Sequence, residues 1–324
     1  MEAETRYHPS TEQRALASTI DESLLDLLPL SRLHASFGED TQTWAGLDDI
    51  GIFAIGISEE NGGSGLGAVE EALIVTSLGR RLAAPAVLAT IGAAQLGTHE
   101  VMTGLRGRRV AAAYRRAERI VIVHDAAADF LLVRDQLSGA ALYKCDLSIS
   151  SALENRLWLA ELRETTAAGL GEPLARFDEP QRARLRLIDA AALAGIAEAA
   201  LEMSVAYAAV REQFGRPIGS FQAVKHQCAD MVIAARCARD QTNFAAVALD
   251  EGRGDAQLQV ECAFLTAGAA ALANAGKNIQ IHGGMGFSDE ADPHLVLKRA
   301  QLLISIAGGL EAATGRIANM KAEW

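Results

Sequence analysis

The 324-residue chain is half hydrophobic, poor in aromatics and proline, and carries a net charge of −11. That charge excludes a duplex-binding surface, whose affinity rests on Lys and Arg neutralising phosphates, but leaves room for a local basic pocket. The length supplies two or three units that can each bury a core, and the alanine-rich balance favours packed helices.

From the amino terminus, MEAETRYHPST is polar with no apolar signal core. No uninterrupted apolar run long enough to span a bilayer follows it, so a soluble cytoplasmic chain away from membranes is expected. Residues 10–105 read as helical. Ser10 with Glu12 and Gln13 opens a first helix, Leu24, Leu25, Leu27, Leu28 and Leu30 carry its apolar stripe, and Thr41 starts the helix that holds Trp44 and Leu47. ENGGSGLG has four glycines within six positions and must be a loop. VEEALIVTSLGRRLAAP then reads as an amphipathic helix ended by Pro85.

The character changes between Arg106 and Asp178. RRVAAAYR, ERIVIVHDA, DFLLVRD and GAALYKCDL alternate apolar and β-branched residues between charged and small turns, which predicts a small β unit. Four long apolar helices follow from Glu179 to the end, and their short connections suggest a bundle. The expected fold is therefore mainly α with a small β domain: a helical unit over 1–105, a β unit over 106–178 and a four-helix bundle over 179–324.

Two of the bundle helices are joined by VREQFGRPIGSFQAVKHQCADM. Gly215 suits a left-handed helix end, Pro217 cannot continue a helix, and Ser220 can cap the next one. Arg211 and Phe214, three residues apart, are expected to share one face at the helix end, a pairing that can bind an anion beside a flat ring. Cys145, Cys228, Cys237 and Cys262 have no C-x-x-C spacing and read as buried reduced thiols, while the seven histidines form no H-x-x-x-H or H-E-x-x-H array, so no metal site is expected.

The residues R-x-x-F-G-x-P-I-x-x-F-Q in this joint resemble the signature of the acyl-CoA dehydrogenases, flavoenzymes that desaturate acyl-CoA thioesters between the α and β carbons. NIQIHGGMGFSDEADPHLVLKRA resembles the family's Q-x-x-G-G-x-G-F loop and basic helix. WAGLDDIGIFAIGISEENGGSGLG with SLGRRLAAP resembles its amino-terminal segments, so the likeness covers about two-thirds of the chain in the family's order. It implies an amino-terminal helical unit forming one wall of an acyl pocket, a middle β domain, and a carboxy-terminal four-helix bundle. It also implies that Arg211, Phe214, Gln222, Gln280, Gly283 and Gly284 reach the adenosine and diphosphate end of an FAD whose ring lies in a neighbouring subunit. The alternative from the residues alone is that Arg211 pairs with a helix carboxylate and the glycines only break a helix.

Departures from the family are equally informative. The L-T-E-P-x-x-G-S-D and W-I-T-N-like stretches that hold the flavin ring are missing, and the β span is too short for the full middle domain. Aligned on the family's Y-E-G-T segment, Ile306 and Ala307 replace the Tyr and the catalytic Glu, while Gly308 matches. The other family position for the base, on the first bundle helix, aligns near Leu185. A methyl group cannot remove a proton, so no catalytic residue is expected here, and Glu311 is the nearest carboxylate. The resemblance narrows to the shortened, non-catalytic subunits of alpha-two-beta-two heterotetramers in actinobacterial steroid side-chain degradation. It implies a partner subunit that supplies the glutamate and binds most of the acyl-CoA, and electron-transfer flavoprotein as acceptor. A self-sufficient homotetrameric enzyme using Glu311, and a flavin-free scaffold, are the alternatives.

Overall fold

A computed structural model describes residues 7–96, 105, 107–135, 139–153 and 159–320. Helix α1 (Thr11–Leu27) opens with a capping box: Ser10 Oγ accepts from Gln13 N at 3.2 Å and Gln13 Oε1 from Ser10 N at 2.8 Å. Of the leucine stripe, Leu24 and Leu28 are fully buried but Leu25 faces solvent. Pro29, with no N–H to donate, ends the α-helical run, and Leu30 belongs to a 3-10 turn, Leu30–His34. Helix α2 (Thr41–Asp49) is capped by Asp40 and turns Trp44 and Leu47 inward. Pro85 does not end the next helix. Helix α3 (Ala68–Arg80) stops earlier, Leu82 takes a left-handed φ of 51°, and Pro85 opens α4 (Pro85–Ala94), where its missing N–H costs nothing.

A mixed sheet follows, with β1 Arg109–Arg116, β2 Arg119–Val123, β3 Ala128–Asp135, β4 Gly139–Lys144, β5 Ser151–Leu153, β6 Leu162–Thr166 and β7 Ala175–Arg176. The order is β5-β6-β2-β1-β3-β4-β7; β1 and β3 run parallel and the other neighbours antiparallel. Two-residue alternation buries both faces. Val110, Ala112, Val123 and Leu132 join the main helical core, while Ala111, Ala113, Ile120, Ile122, Leu131 and Val133 form a second cluster opposite.

The bundle consists of α5 (Glu179–Val210), α6 (Gln222–Asp250), α7 (Ala256–His282), α8 (Pro293–Ile306) and α9 (Leu310–Asn319). Residues 187–200 of α5 are buried on every side, so it is the axis of the molecule. It crosses α3 at backbone contact: a Cβ on Gly79 would strike the Ala192 carbonyl, and one on Gly195 the Thr76 carbonyl. Asn274 of α7 donates to Ala197 O and Met231 O, both at 3.0 Å, tying α5, α6 and α7 together. The expected fourth helix is two, because Gly308 (φ 91°) and Gly309 (φ 87°) leave the right-handed region between α8 and α9.

Two stretches, Glu179–Val210 and Ala256–Phe287, reach the length and mean hydropathy of a membrane span, but Asp189 and Glu198 interrupt the first and Glu261 and Lys277 the second. Their apolar faces form the bundle core. The cysteines also differ from expectation: Cys237 is exposed and the other three are half-buried. A thiol fits the irregular gaps at the rim of an alanine-filled core, where larger hydrophobes already occupy the interior.

Candidate functional site

The joint between α5 and α6 is a β-hairpin, not a helix end with a shared face. Arg211 caps α5 in extended backbone, and β8 (Glu212–Gln213) pairs with β9 (Arg216–Pro217). Phe214 (φ 55°) and Gly215 (φ 77°) make the two-residue turn, both in the left-handed region that such hairpins require. The turn lifts Phe214 away from the helix, leaving it 92% exposed. Its ring meets Phe221 edge-on at 6.1 Å, and the Arg216 guanidinium lies 4.2 Å over the same Phe221 ring. Ser220 does not cap α6. It closes a 3-10 turn, Ile218–Ser220, and Phe221 stands at the cap position, leaving Gln222 exposed in the first turn.

The second expected segment lies beside the first. Tyr207, near the end of α5, stacks on His282 at the end of α7 with 4.1 Å between ring centroids. Gln280 is exposed on the last turn of α7, and Gly283 (φ 60°) breaks it into the 3-10 turn Gly283–Phe287. Arg211, Phe214, Gln222, Gln280, Gly283 and Gly284 are therefore all exposed at one end of the bundle. Among the described residues Arg211 makes no ion pair. A Cβ on Gly284 would meet open space, so nothing inside this chain requires glycine there. Val210, Met285 and Phe287 add exposed apolar surface to the same end.

A different picture holds where the catalytic base would stand. Leu185 and Ala307, the two aligned base positions, line one cavity of about 350 Å³ beneath β1, β3 and β4. Arg186 donates to Ala307 O at 2.6 Å, sits 4.4 Å over the Phe264 ring and lies 3.6 Å from Glu261. Glu261 accepts from Arg316 at 2.8 and 2.9 Å, Asp189 pairs with Arg134 at 2.7 Å, and Asp135 pairs with Arg115 at 3.3 Å. Burial, reinforced by the charge of Arg134, pulls the Arg186 guanidinium down to about 10. Each carboxylate here is held as a counter-ion, with its oxygens turned to guanidiniums instead of to a C–H. Glu311 is exposed in the first turn of α9 and is not part of the cavity wall.

This ion-pair cluster was not foreseen from the sequence. Its signal was present: Asp189 falls between Leu187 and Ile188 and the run 190–196, Glu261 falls between Val260 and the pair Ala263 and Phe264, and a charge flanked in this way is seldom buried without a partner.

Comparison with known proteins gives matches at both ends of the chain. The model of the acyl-CoA dehydrogenase N-terminal domain matches residues 10–103 and that of the C-terminal domain residues 182–321. IpdE2 of Mycobacterium tuberculosis, an acyl-CoA dehydrogenase, is 31% identical over 81% of this chain and 81% of its own length. The chain belongs to the acyl-CoA dehydrogenase family. FadE34, an acyl-CoA dehydrogenase of the same organism, is 32% identical over 82% of this chain, which spans only 40% of FadE34. Among solved structures, the ChsE4-ChsE5 complex from Mycobacterium tuberculosis superposes with a TM-score of 0.77 at 23% identity, covering 98% of this chain and 100% of the matched chain. Butyryl-CoA dehydrogenase from Megasphaera elsdenii gives 0.73 at 21% identity over 95% and 96% of the two chains. At these identities the likeness is one of acyl-CoA dehydrogenase fold: mostly helical with a small mixed sheet.

Proposed function

We propose that this chain is the non-catalytic subunit of a heteromeric FAD-dependent acyl-CoA dehydrogenase acting on a steroid side-chain CoA thioester. The observation that carries this reading is the cavity shared by Leu185 and Ala307. Both positions that could bear the family's base are apolar, and the space between them is crossed by Arg186 and its partners. A structural neighbour described as a steroid ACAD supports the choice of substrate class, the ChsE4-ChsE5 complex supports a two-chain assembly, and IpdE2 is an acyl-CoA dehydrogenase of comparable length.

The bundle end suits the diphosphate and adenosine part of FAD. A diphosphate needs fixed positive charge and backbone donors that no side chain shields, and Arg211 with Gly283 and Gly284 presents that set to solvent. The charged cavity does not suit an isoalloxazine ring, which would leave buried guanidiniums facing a neutral heterocycle. The ring therefore belongs with the partner subunit. When bound, FAD supplies the hydride acceptor for the desaturation. This chain's share is to hold the cofactor: Arg211 by charge-assisted hydrogen bonds, Phe214 by packing on a flat heterocycle, Gln222 and Gln280 by side-chain amides, and the glycines by close backbone approach. The partner contributes the glutamate and most of the acyl-CoA pocket, and electron-transfer flavoprotein takes the electrons onward.

Visible absorption tests the assembly. The chain purified alone is expected to lack stoichiometric flavin, and the complex co-expressed with its neighbouring gene product to carry it. A yellow, FAD-saturated homo-oligomer of this chain alone would refute the half-site reading and favour a self-sufficient enzyme, whereas a colourless complex would favour a scaffold.

A further inference from the structure

We propose that the cavity beneath β1, β3 and β4 is a binding site for a short-chain dicarboxylate. Five guanidiniums, those of Arg115, Arg134, Arg182, Arg186 and Arg316, line it. Among the described residues their carboxylate partners are Asp135 and Glu261 in the cavity wall and Asp189 behind Arg134 and Arg186, each already paired. Five guanidiniums against three carboxylates leave an excess of two positive charges around the cavity, a balance that matches a dianion.

The positions of these groups define the shape of the ligand. Arg182 is exposed at the mouth, where its Nη1 donates to Phe177 O at 2.9 Å and its charge has no ion-pair partner among the described residues. Arg186 lies deep, against Ala307. Between the charged groups the wall is apolar, formed by Leu185, Val260, Ile306 and Ala307, all buried. A bare inorganic anion would leave that wall facing water. A dicarboxylate of four to six carbons lays its methylenes on the wall and sends its two carboxylates to the guanidiniums, whose planar fork matches a carboxylate in two parallel hydrogen bonds. The apolar spacer also separates this ligand class from phosphate. The volume of about 350 Å³ admits such a molecule with accompanying water but not a CoA thioester. This site stands on the cavity alone and does not depend on where FAD binds.

The test is thermal stabilisation and calorimetric binding on the full chain, as purified with or without its partner. The probes are succinate, glutarate and adipate, with propionate, inorganic phosphate and sodium chloride at matched ionic strength as controls. Expected is saturable binding of at least one dicarboxylate, at least tenfold tighter than propionate or phosphate. Arg182→Gln, which leaves no buried carboxylate unpaired, should weaken it about tenfold. Gln257→Glu, at an exposed position of the same rim, should weaken it comparably by repulsion. No binding by any dicarboxylate, phosphate binding as tight as the best dicarboxylate, or wild-type affinity in both variants would each overturn the proposal. None of these outcomes alters flavin content, so failure here leaves the half-site assignment standing, and a flavin-saturated homo-oligomer would leave this site standing.

Discussion

Replacing Arg211 by alanine isolates the contribution of this chain to the cofactor. The Arg211 N–H is bonded to Tyr207 O at 2.9 Å and its carbonyl accepts from Ile218 N at 2.8 Å; neither bond uses the side chain. The guanidinium is exposed and makes no ion pair among the described residues. Its loss should therefore change folding stability by no more than about 0.5 kcal/mol, as for other surface substitutions. A charge-assisted hydrogen bond to a diphosphate is worth about 1.5–3 kcal/mol, so the same change should weaken FAD binding by roughly 10- to 150-fold. Arg211→Lys keeps the charge but loses the fork, and should fall between the two. The assay is fluorescence titration of flavin-stripped, co-expressed complex with FAD, alongside thermal unfolding of each variant. Wild-type affinity in Arg211→Ala would refute the assignment of the hairpin to the cofactor. A loss of affinity accompanied by a large drop in melting temperature would show that Arg211 serves the fold.

Glu261→Gln leaves Arg316 without its buried counter-ion and Arg186 with Asp189 alone, which should cost about 3 kcal/mol and lower the melting temperature by about 4 °C for a chain of this length. Asp240→Asn, which removes only the exposed Arg236–Asp240 pair, should cost under about 1 kcal/mol, and equal shifts in the two variants would refute the structural role of the cluster. Glu311→Gln should leave steady-state turnover of the complex with an artificial electron acceptor nearly intact, and a loss on the order of a hundredfold at unchanged flavin would mean that Glu311 is the base. Ala307→Glu should add no activity, because its carboxylate would face Arg186 and become one more counter-ion.

The elements were legible where local chemistry decides them. The Ser10 capping box, the glycine loop at 62–67 and the four alternating strand segments were all readable because each is specified within a few residues. Strands β5 and β7, three and two residues long, carry no pattern of their own and exist only through their partners. The hairpin at Phe214 was misread as a helix end because Gly215 prefers positive φ in either setting. Only the pairing of Glu212 with Pro217 and Gln213 with Arg216 distinguishes them. The absence of a base at Leu185 and Ala307 was visible in the sequence, whereas the arginine cluster between them was not. Its members come from β1, β3, α5, α7 and α9, and charge pairing across such separations leaves no periodicity to read.

The crossing of α3 and α5 at Gly79 and Gly195 has a consequence for how the chain comes apart. Where two helices meet through side chains, rotamer changes let one loosen while the other stays folded. Here Gly79 meets the Ala192 carbonyl and Gly195 the Thr76 carbonyl, so no side chain is available to relax the contact. The bundle also lends α3 its cap: Asp250, at the end of α6, accepts from Ala68 N at 2.6 Å and from Val69 N at 3.0 Å. Unfolding α3 alone would expose buried backbone on α5 and strand the Asp250 carboxylate. Melting of the two regions is thereby coupled into a single cooperative transition, and amides on both helices should share one hydrogen-exchange free energy.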